Sequence, residues 1–510
     1  MKTVSPLGRA GIVLALAALA LPMGEPTTIQ GGLAAQTPGE ISYHDESVMP
    51  DGPVGERIRA LIDAFNRGDP TIVPGFLESE ATAGFRSFAP MSAHQQAFAA
   101  TFRRWGPITF HGIRTYEPPR SGETIVIVRD ANFEQWRALS LRLDPSDGHR
   151  ISSLQFNDAR TPTNVTEEAL EPEDLVPRIE RFVERSCDVD VFSGTVLVAR
   201  GETVLYTHAC GEASKRFHVA NRLDTKFNLG SMNKMFTSVA IMQLVERGVI
   251  ALDDPISKYV DESWLPRDIT DRVTVHHLLT HTSGLGSYFN ETYMHSSRAS
   301  FRALDDYKPL VEGETLAFEP GDRFQYSNTG MFLLGVVIES ATGESYFDYI
   351  REHIYEPAGM TGSDSYEMDQ PVENLAIGYD PDPESAQGYR NNLYMHVIKG
   401  GPAGGGFSTV EDLLAFSLAL QSGRLVSEQS LDVMWTSHSD AGYGYGFQVQ
   451  ELPAGRVVGH GGGFPGLNSN LDILLDQGMT VAVMSNYGGG AAPIAAQINA
   501  LIARTLTTTS

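Results

Sequence analysis

Cysteine and positive charge are both scarce in this sequence of 510 residues. Its 2 cysteines are too few for a disulfide scaffold or a four-cysteine zinc site. Lys and Arg number 38 against 63 Asp and Glu, and the formal net charge of −25 has the wrong sign for a nucleic-acid partner. After the N-terminal segment, no stretch approaches the run of about 18 apolar residues that a membrane-spanning helix needs. We therefore expect the mature chain to bind no nucleic acid and to cross no membrane.

The N-terminus has the pattern of a secretory signal. Lys2 and Arg9 supply positive charge around the start of the apolar run 11–21, and small residues follow at 31–35. We predict a signal peptide over residues 1–35 and a secreted or periplasmic protein. A retained membrane anchor is the alternative, and the shortness of the apolar run speaks against it.

Export also bears on the two cysteines, Cys187 and Cys210. An oxidising compartment permits a disulfide between them. Two buried free thiols are an equal alternative, because the sequence does not show how far apart the two side chains lie.

The first part of the mature chain has the pattern of a small α+β domain. Residues 36–53 are polar and predicted to be extended, and domain 54–157 then shows two helical patterns followed by four strand patterns. This order resembles the cone-shaped nuclear-transport-factor-2-like fold. We find no catalytic pair in the domain and expect it to provide contacts, including homo-oligomer formation, or to bind a small ligand. The helical patterns cover 54–65 and 93–105, and the strand patterns cover 108–116, 123–129, 136–143 and 151–156.

The second domain is predicted over residues 173–506, after a linker at 158–172 that is rich in Thr, Pro and Glu. Strand patterns at its two ends, with long helical stretches between them, predict one sheet built from both ends of the domain. The expected fold class is α/β (α+β). The terminal elements are helix 173–186, the hairpins 194–199/203–207 and 471–475/479–484, and helix 492–505.

Ser231 and Lys234 form the first candidate catalytic pair. A helix is predicted to open at Ser231, and a spacing of three places both side chains on the same side of it. The rest of the helix is apolar almost all round and is therefore expected to be buried. Burial lowers the pKa of a lysine, so Lys234 could take the proton of the Ser231 hydroxyl. The alternative is an N-cap serine followed by a surface lysine, since Ser-x-x-Lys is common by chance.

Two further segments strengthen the catalytic interpretation. Tyr326 and Asn328 precede a second apolar helix and could point the same way from an extended segment. The strand that starts at Arg456 continues into the run His460-Gly461-Gly462-Gly463. Glycines there would let a substrate lie against the strand, and a free backbone N–H could donate to an oxyanion.

These three elements, in this order, resemble the serine β-lactamase and penicillin-binding-protein superfamily. The resemblance covers about residues 173–506 and is nearest to the class C-like branch, which also holds esterases and D-aminopeptidases. The segments 226–230, 279–285 and 404–408 add to it. It implies a β-lactamase/transpeptidase-like domain with a central antiparallel sheet and a helical subdomain.

The resemblance also implies roles for individual residues. Ser231 would be the acylated nucleophile and Lys234 its general base. Tyr326 would share proton transfer with Lys234, and Asn328 would position the lysine and the substrate. The backbone N–H groups of Ser231 and Gly463 would form the oxyanion hole. No cofactor and no metal are implied.

The third element departs from the family pattern. His460 takes the place of a lysine and Gly461 the place of a hydroxyl residue, before Gly462 and Gly463. In the members that hydrolyse β-lactams, that cation and hydroxyl hold the carboxylate of the substrate. Because histidine is mostly neutral at pH 7, we expect weak affinity for such a carboxylate and a preference for esters or peptide amides. The alternative is that His460 is only a structural histidine.

Other catalytic interpretations fit the sequence less well. His277 and His281 are four residues apart, but the His-Glu-x-x-His pattern of a zinc site is absent. The His-Gly-Gly-Gly run follows every candidate serine, whereas in α/β-hydrolases it precedes the nucleophile.

We therefore expect an exported serine hydrolase acting on small ester, amide or peptide substrates. The alternatives are a β-lactamase, a D-alanyl-D-alanine carboxypeptidase or a non-catalytic relative that binds peptides or cell-wall fragments.

Overall fold

A computed structural model describes residues 42–120, 122–382, 385–453 and 455–506. The predicted signal peptide at 1–35 lies outside the described residues. Contacts divide the described chain into two compact units, and the division after Asn164 falls inside the predicted linker. The first unit comprises Ser42–Ala131 and Gln135–Asn164, and the second comprises Asn132–Glu134 and the chain from Val165 onward.

The first unit packs four helices on one face of a five-stranded antiparallel sheet. In α1, Ile58, Leu61 and Phe65 recur at helical spacing and are buried against the sheet. The strands run in the order β1-β2-β3-β4-β5, so neighbours in sequence are neighbours in the sheet. The elements are β1 Ser42–Glu46, α1 Gly52–Asn66, α2 Val73–Glu80, α3 Ala83–Ser87, α4 Met91–Trp105, β2 Ile108–Glu117, β3 Thr124–Asp130, β4 Trp136–Asp144 and β5 Arg150–Asp158.

Both predicted helices and all four predicted strands of this unit are present, and β1 is a strand that the sequence analysis described only as extended. Residues 159–164, assigned to the linker, belong to this unit instead. Arg114 donates to the Arg160 carbonyl and forms a buried ion pair with Asp45, which also accepts from the Thr163 N–H. These contacts hold the segment against the sheet. The resemblance to a cone-shaped fold and a role in oligomer formation stay predictions.

The second unit is built on a six-stranded antiparallel sheet in the order β14-β15-β16-β17-β6-β7. Strand β17 pairs with β6 from Met479↔Arg200 to Ser485↔Gly194, so the two ends of the unit meet in the centre of the sheet, as predicted. Its strands are β6 Gly194–Arg200, β7 Thr203–Cys210, β8 Glu212–Ser214, β9 Val219–Ala220, β10 Phe227–Asn228, β11 Tyr379–Pro381, β12 Tyr389–Asn391, β13 Phe407–Ser408, β14 Gln448–Leu452, β15 Gly455–Phe464, β16 Leu467–Leu474 and β17 Met479–Ser485.

Helices cover both faces of this sheet because its central strands carry apolar side chains on both faces. Val196 and Val198 pack with α5 and α16, whereas Leu197 and Ala199 face the larger core that contains α6, α11 and α14. The helices are α5 Leu175–Asp188, α6 Asn233–Glu246, α7 Arg267–Thr270, α8 Val275–Leu279, α9 Glu291–His295, α10 Lys308–Val311, α11 Asn328–Thr342, α12 Tyr346–Ile350, α13 Glu356–Ala358, α14 Val410–Gln421, α15 Glu428–Met434 and α16 Ala491–Leu506.

The structure decides the alternative that the sequence left open for the two cysteines. Cys187, at the end of α5, and Cys210, at the end of β7, form a disulfide with their Cα atoms 6.2 Å apart. Across the described ranges, no helix combines the length and the apolar character that a bilayer crossing requires.

Candidate active site

The candidate nucleophile, Ser231, lies in a tight turn rather than in the α-helix itself. Residues Gly230–Met232 form a 3₁₀ turn, and α6 begins two residues after the predicted start, at Asn233. Gly230 has φ +52°, and a Cβ there would lie 3.0 Å from the Gly463 nitrogen. Only glycine fits this turn without strain and without crowding the neighbouring strand. The turn therefore brings the half-buried Ser231 next to β15.

Lys234 is completely buried and lies among oxygen atoms. Its Nζ is 3.0 Å from Ser231 Oγ and 3.0 Å from Asn328 Oδ1, and it also contacts the Ala403 carbonyl. Burial holds the pKa of Lys234 well below its usual value, so the neutral amine is favoured. A neutral amine has two N–H groups and one lone pair, and the oxygens of Asn328 and Ala403 can only accept. The lone pair is therefore left for the Ser231 hydroxyl, which is the geometry of a general base.

Tyr326 lies beside Ser231 and Lys234. Its side chain is hydrogen-bonded to Ser231, and Lys234 Nζ lies 4.8 Å from the centroid of its ring. Burial raises the pKa of Tyr326, so the phenol keeps its proton at neutral pH. The phenol is therefore available as a donor beside the nucleophile.

Asn328 does not extend from the strand-like segment expected from the sequence. Ser327 is the N-cap of α11, accepting from the Gly330 N–H, and Asn328 is the first residue of that helix. Its Oδ1 accepts from Lys234, and its Nδ2 donates to Ser287 Oγ at 3.2 Å. The amide still meets the lysine because the helix start fixes its direction.

The glycine run of β15 lies against the nucleophile turn. Pairing with β14 ends at Gly459, so the edge of β15 beyond that residue is not covered by β14. A Cβ on Gly462 would lie only 2.0 Å from the Leu229 carbonyl oxygen, which shows how closely the turn and the strand approach. The structure thus brings Ser231, Lys234, Tyr326 and Asn328 to the segment that contains Gly462 and Gly463.

His460 is 2% exposed and fully hydrogen-bonded. Its Nδ1 lies 2.5 Å from the Gly461 carbonyl, which can only accept, so Nδ1 carries the proton. Tyr443 then donates its O–H to Nε2 at 3.0 Å. Burial, together with the nearby Lys234, lowers the pKa of His460 to about 3. His460 is therefore a neutral side chain and supplies no cation to a substrate carboxylate.

The sequence did not indicate that His281 and Tyr443 contact the residues of this site. His281 is buried with φ +57°, and its Nδ1 accepts the Ser327 N–H at 3.1 Å. Its ring centroid is 4.3 Å from that of Tyr326 and 4.6 Å from that of Tyr443. His281 therefore packs against the Tyr326 ring and helps to fix its position. The Tyr-Gly-Tyr-Gly-Phe run at 443–447 was the available signal for Tyr443.

His277 and His281, weighed as a metal pair in the sequence, have different uses. His277 Nδ1 accepts the Thr274 N–H in a capping box at the start of α8. His281 Nδ1 accepts the Ser327 N–H instead. Each histidine thus uses one ring nitrogen to fix a different backbone segment.

Known proteins match the second unit. The Beta-lactamase family matches residues 179–504. Penicillin-binding protein 4* of Bacillus subtilis (strain 168) is 32% identical over 314 residues, which are 58% of this chain and 68% of that protein. Esterase EstB of Burkholderia gladioli is 33% identical over 231 residues, covering 42% of this chain and 58% of that protein.

Solved structures agree with the sequence matches. The crystal structure of a penicillin-binding protein from Bacillus halodurans is 33% identical and has a TM-score of 0.57. The match covers 61% of this chain and 96% of that one. The chain therefore belongs to the Beta-lactamase family, a serine hydrolase superfamily with the β-lactamase/transpeptidase fold.

Proposed function

We propose that the protein is an exported serine hydrolase that forms an acyl-enzyme on Ser231 and cleaves esters or peptide amides. The observation that carries this proposal is the environment of Lys234. Two of its contacts can only accept hydrogen bonds, so the free-base lone pair is directed at the Ser231 hydroxyl 3.0 Å away.

Acylation follows from this arrangement. Lys234 takes the hydroxyl proton while Ser231 Oγ attacks the substrate carbonyl and forms a tetrahedral intermediate. The backbone N–H groups of Ser231 and Gly463 stabilise the negative oxygen of that intermediate. Tyr326 then gives its proton to the leaving alkoxide or amine, and the Lys234 ammonium returns a proton to Tyr326. The C–O or C–N bond breaks, and the acyl group remains on Ser231.

Deacylation uses the same groups in reverse. Tyr326 and Lys234 take a proton from a water molecule, and the resulting hydroxide attacks the acyl carbonyl. The carbon–Oγ bond breaks, the carboxylic acid leaves, and Ser231 regains its proton. Asn328 holds Lys234 in place throughout through the 3.0 Å hydrogen bond.

The electrostatics of the site support neutral substrates. His460 stays uncharged because its pKa is lowered to about 3, and Gly461 has no hydroxyl. A substrate carboxylate would therefore lack the partners that β-lactam-hydrolysing members provide. The similarity to a protein named an esterase is consistent with ester substrates.

The proposal is tested by replacing the nucleophile. Ser231→Ala should abolish turnover of 4-nitrophenyl acetate, and a fluorophosphonate probe should add mass to the wild-type chain at Ser231 but not to the variant. Ser422→Ala, at an exposed serine after α14, is the matched control and should keep wild-type turnover. Full turnover by Ser231→Ala would overturn the assignment.

A further inference from the structure

Aromatic rings lie directly beyond the proposed oxyanion donor. Phe464 follows Gly463 on β15, and its ring centroid is 4.7 Å from that of His396 and 5.8 Å from that of Phe289. All three residues are half-buried, so part of each remains accessible. We call Phe289, His396 and Phe464 the aromatic wall.

The aromatic wall connects the segment after Ser287 with strand β15. Phe289 lies two residues after Ser287, whose hydroxyl accepts from Asn328. Phe464 is on the strand that carries Gly463, and because side chains alternate along a strand it points to the same face as Gly462. That face meets the nucleophile turn, since a Cβ on Gly462 would lie 2.0 Å from the Leu229 carbonyl oxygen. The wall thus stands on the side of the strand where Ser231 lies.

The direction of proton transfer decides which part of a substrate meets the wall. Tyr326 protonates the leaving group, and its ring centroid is 6.4 Å from that of His460. The leaving group therefore points to the His460 end of the glycine run. Phe464 lies four residues after His460 on β15, which is about 13 Å at the usual rise per residue. It is therefore on the other side of Gly463 from His460. The acyl group points to that end.

The aromatic wall is uncharged. Asn392 Nδ2 lies 2.7 Å from His396 Nε2, and burial lowers the pKa of His396 to about 4, so the ring is neutral at pH 7. Arg298 donates to the Met395 carbonyl of the same loop, and its guanidinium lies 3.8 Å from the centroid of the Tyr293 ring. Its charge is thereby held by backbone carbonyls and an aromatic ring. A charged acyl group would lose hydration at the wall and gain no ion partner from its three side chains.

We infer that Phe289, His396 and Phe464 form the acyl-binding surface and select substrates whose acyl group is aromatic or bulky, apolar and uncharged. This inference rests on the proposed function, because it presumes that Ser231 is acylated. Aromatic rings pack favourably with one another, and an apolar contact of this kind separates substrates by about tenfold or more.

Three 4-nitrophenyl esters with the same leaving group test the inference: the acetate, the phenylacetate and the glutarate monoester. After correction for alkaline reactivity, the wild-type enzyme should have a kcat/KM for phenylacetate about tenfold above that for acetate, with the anionic glutarate lowest. Phe464→Ala and Phe289→Ala should each lower the phenylacetate-to-acetate ratio by about tenfold. Phe464→Leu, which keeps apolar volume, should lower it less.

Controls separate this inference from the proposed function. Phe217→Ala removes an exposed phenylalanine of another hairpin and should leave the ratio unchanged. A ratio that is unchanged in both wall variants, or a wild-type preference for the glutarate ester, would overturn the inference while Ser231 labelling still succeeds. Turnover of all three esters by Ser231→Ala would overturn the proposed function itself. Thermal unfolding verifies that each variant is folded, and Phe464→Leu keeps the test open if an alanine variant is not.

Discussion

At the scale of single residues, the buried amine of Lys234 sets the pH dependence of the site. Burial lowers its pKa, and burial raises the pKa of Tyr326. In the proposed mechanism the active form has Lys234 neutral and Tyr326 protonated, and these opposite pKa shifts widen the pH range in which that form dominates. Without these shifts, Lys234 and Tyr326 would both be protonated at pH 7. The shifts let Lys234 serve as a base while Tyr326 keeps its proton.

We predict that kcat/KM for a neutral ester falls on the acid side as Lys234 gains a proton, because the ammonium cannot accept the Ser231 proton. Lys234→Arg places a permanent positive charge at this position and cannot act as a base at any ordinary pH, so kcat should fall by about 10²–10⁴-fold. A pH–rate profile of both proteins checks this. An acid limb that persists unchanged in active Lys234→Arg would contradict the assignment.

At the scale of elements, β15 approaches the nucleophile turn so closely that residue 462 must be glycine, whereas residue 461, just before it, has room for alanine. A Cβ on Gly462 would lie 2.0 Å from the Leu229 carbonyl oxygen, whereas a Cβ on Gly461 would have its nearest neighbour at 3.6 Å. Since real Cβ contacts do not occur at the first distance, the turn or the strand must move if residue 462 gains a side chain. The proposed oxyanion hole depends on the positions of both.

Gly462→Ala should therefore lower kcat/KM by about 10²-fold, as expected for a displacement of reacting groups by about 1 Å. Gly461→Ala is the matched control on the same strand and should stay within about threefold of the wild-type value, since its Cβ meets only ordinary contacts. Ester hydrolysis and thermal unfolding measure the two effects. Equal activities of the two variants would mean that the turn is not held against β15.

The sequence predicts those parts of the site that depend on local spacing. The pairing of Ser231 with Lys234 follows from their spacing of three residues, which is about one helical turn, and the glycine run is read directly from the sequence. The contacts of His281 with Ser327 and of Tyr443 with His460 join segments from different elements, and no local pattern encodes them. The start of α6 was also misplaced, because a 3₁₀ turn precedes it.

At the scale of the whole molecule, the sequence again predicts features that depend on local patterns and leaves open those that depend on contacts between distant segments. Terminal hairpins and helices were predicted within a few residues, because apolar periodicity determines them. The partner of Cys187 was left open, because a disulfide depends on the tertiary distance between two elements. The structure joins Cys187 of α5 to Cys210 of β7, one of the two edge strands of the main sheet.

Replacing both cysteines by alanine should lower the free energy of unfolding by about 3 kcal/mol, the chain-entropy expectation for a loop of this size. The two cysteines are 23 residues apart in sequence. Turnover in dilute buffer should not change, because the cysteines lie in α5 and β7 and not in the elements that carry the candidate site. Urea unfolding and ester hydrolysis check the two statements. Equal stability of the two proteins would show that the disulfide does not constrain the unfolded chain.

The pairing of strands from the two ends of the second unit has a consequence for biosynthesis. Ser231 and Lys234 are synthesised long before β15 and β17, so a nascent chain contains the nucleophile without the strand beside it. Such distant pairing is slow to form, because the intervening loop must close first. The hydrolase would stay inactive until its last strands dock. A truncation before residue 455 would remove β15 with the Gly463 N–H of the proposed oxyanion hole, and it would leave the edge of β6 unpaired and open to aggregation.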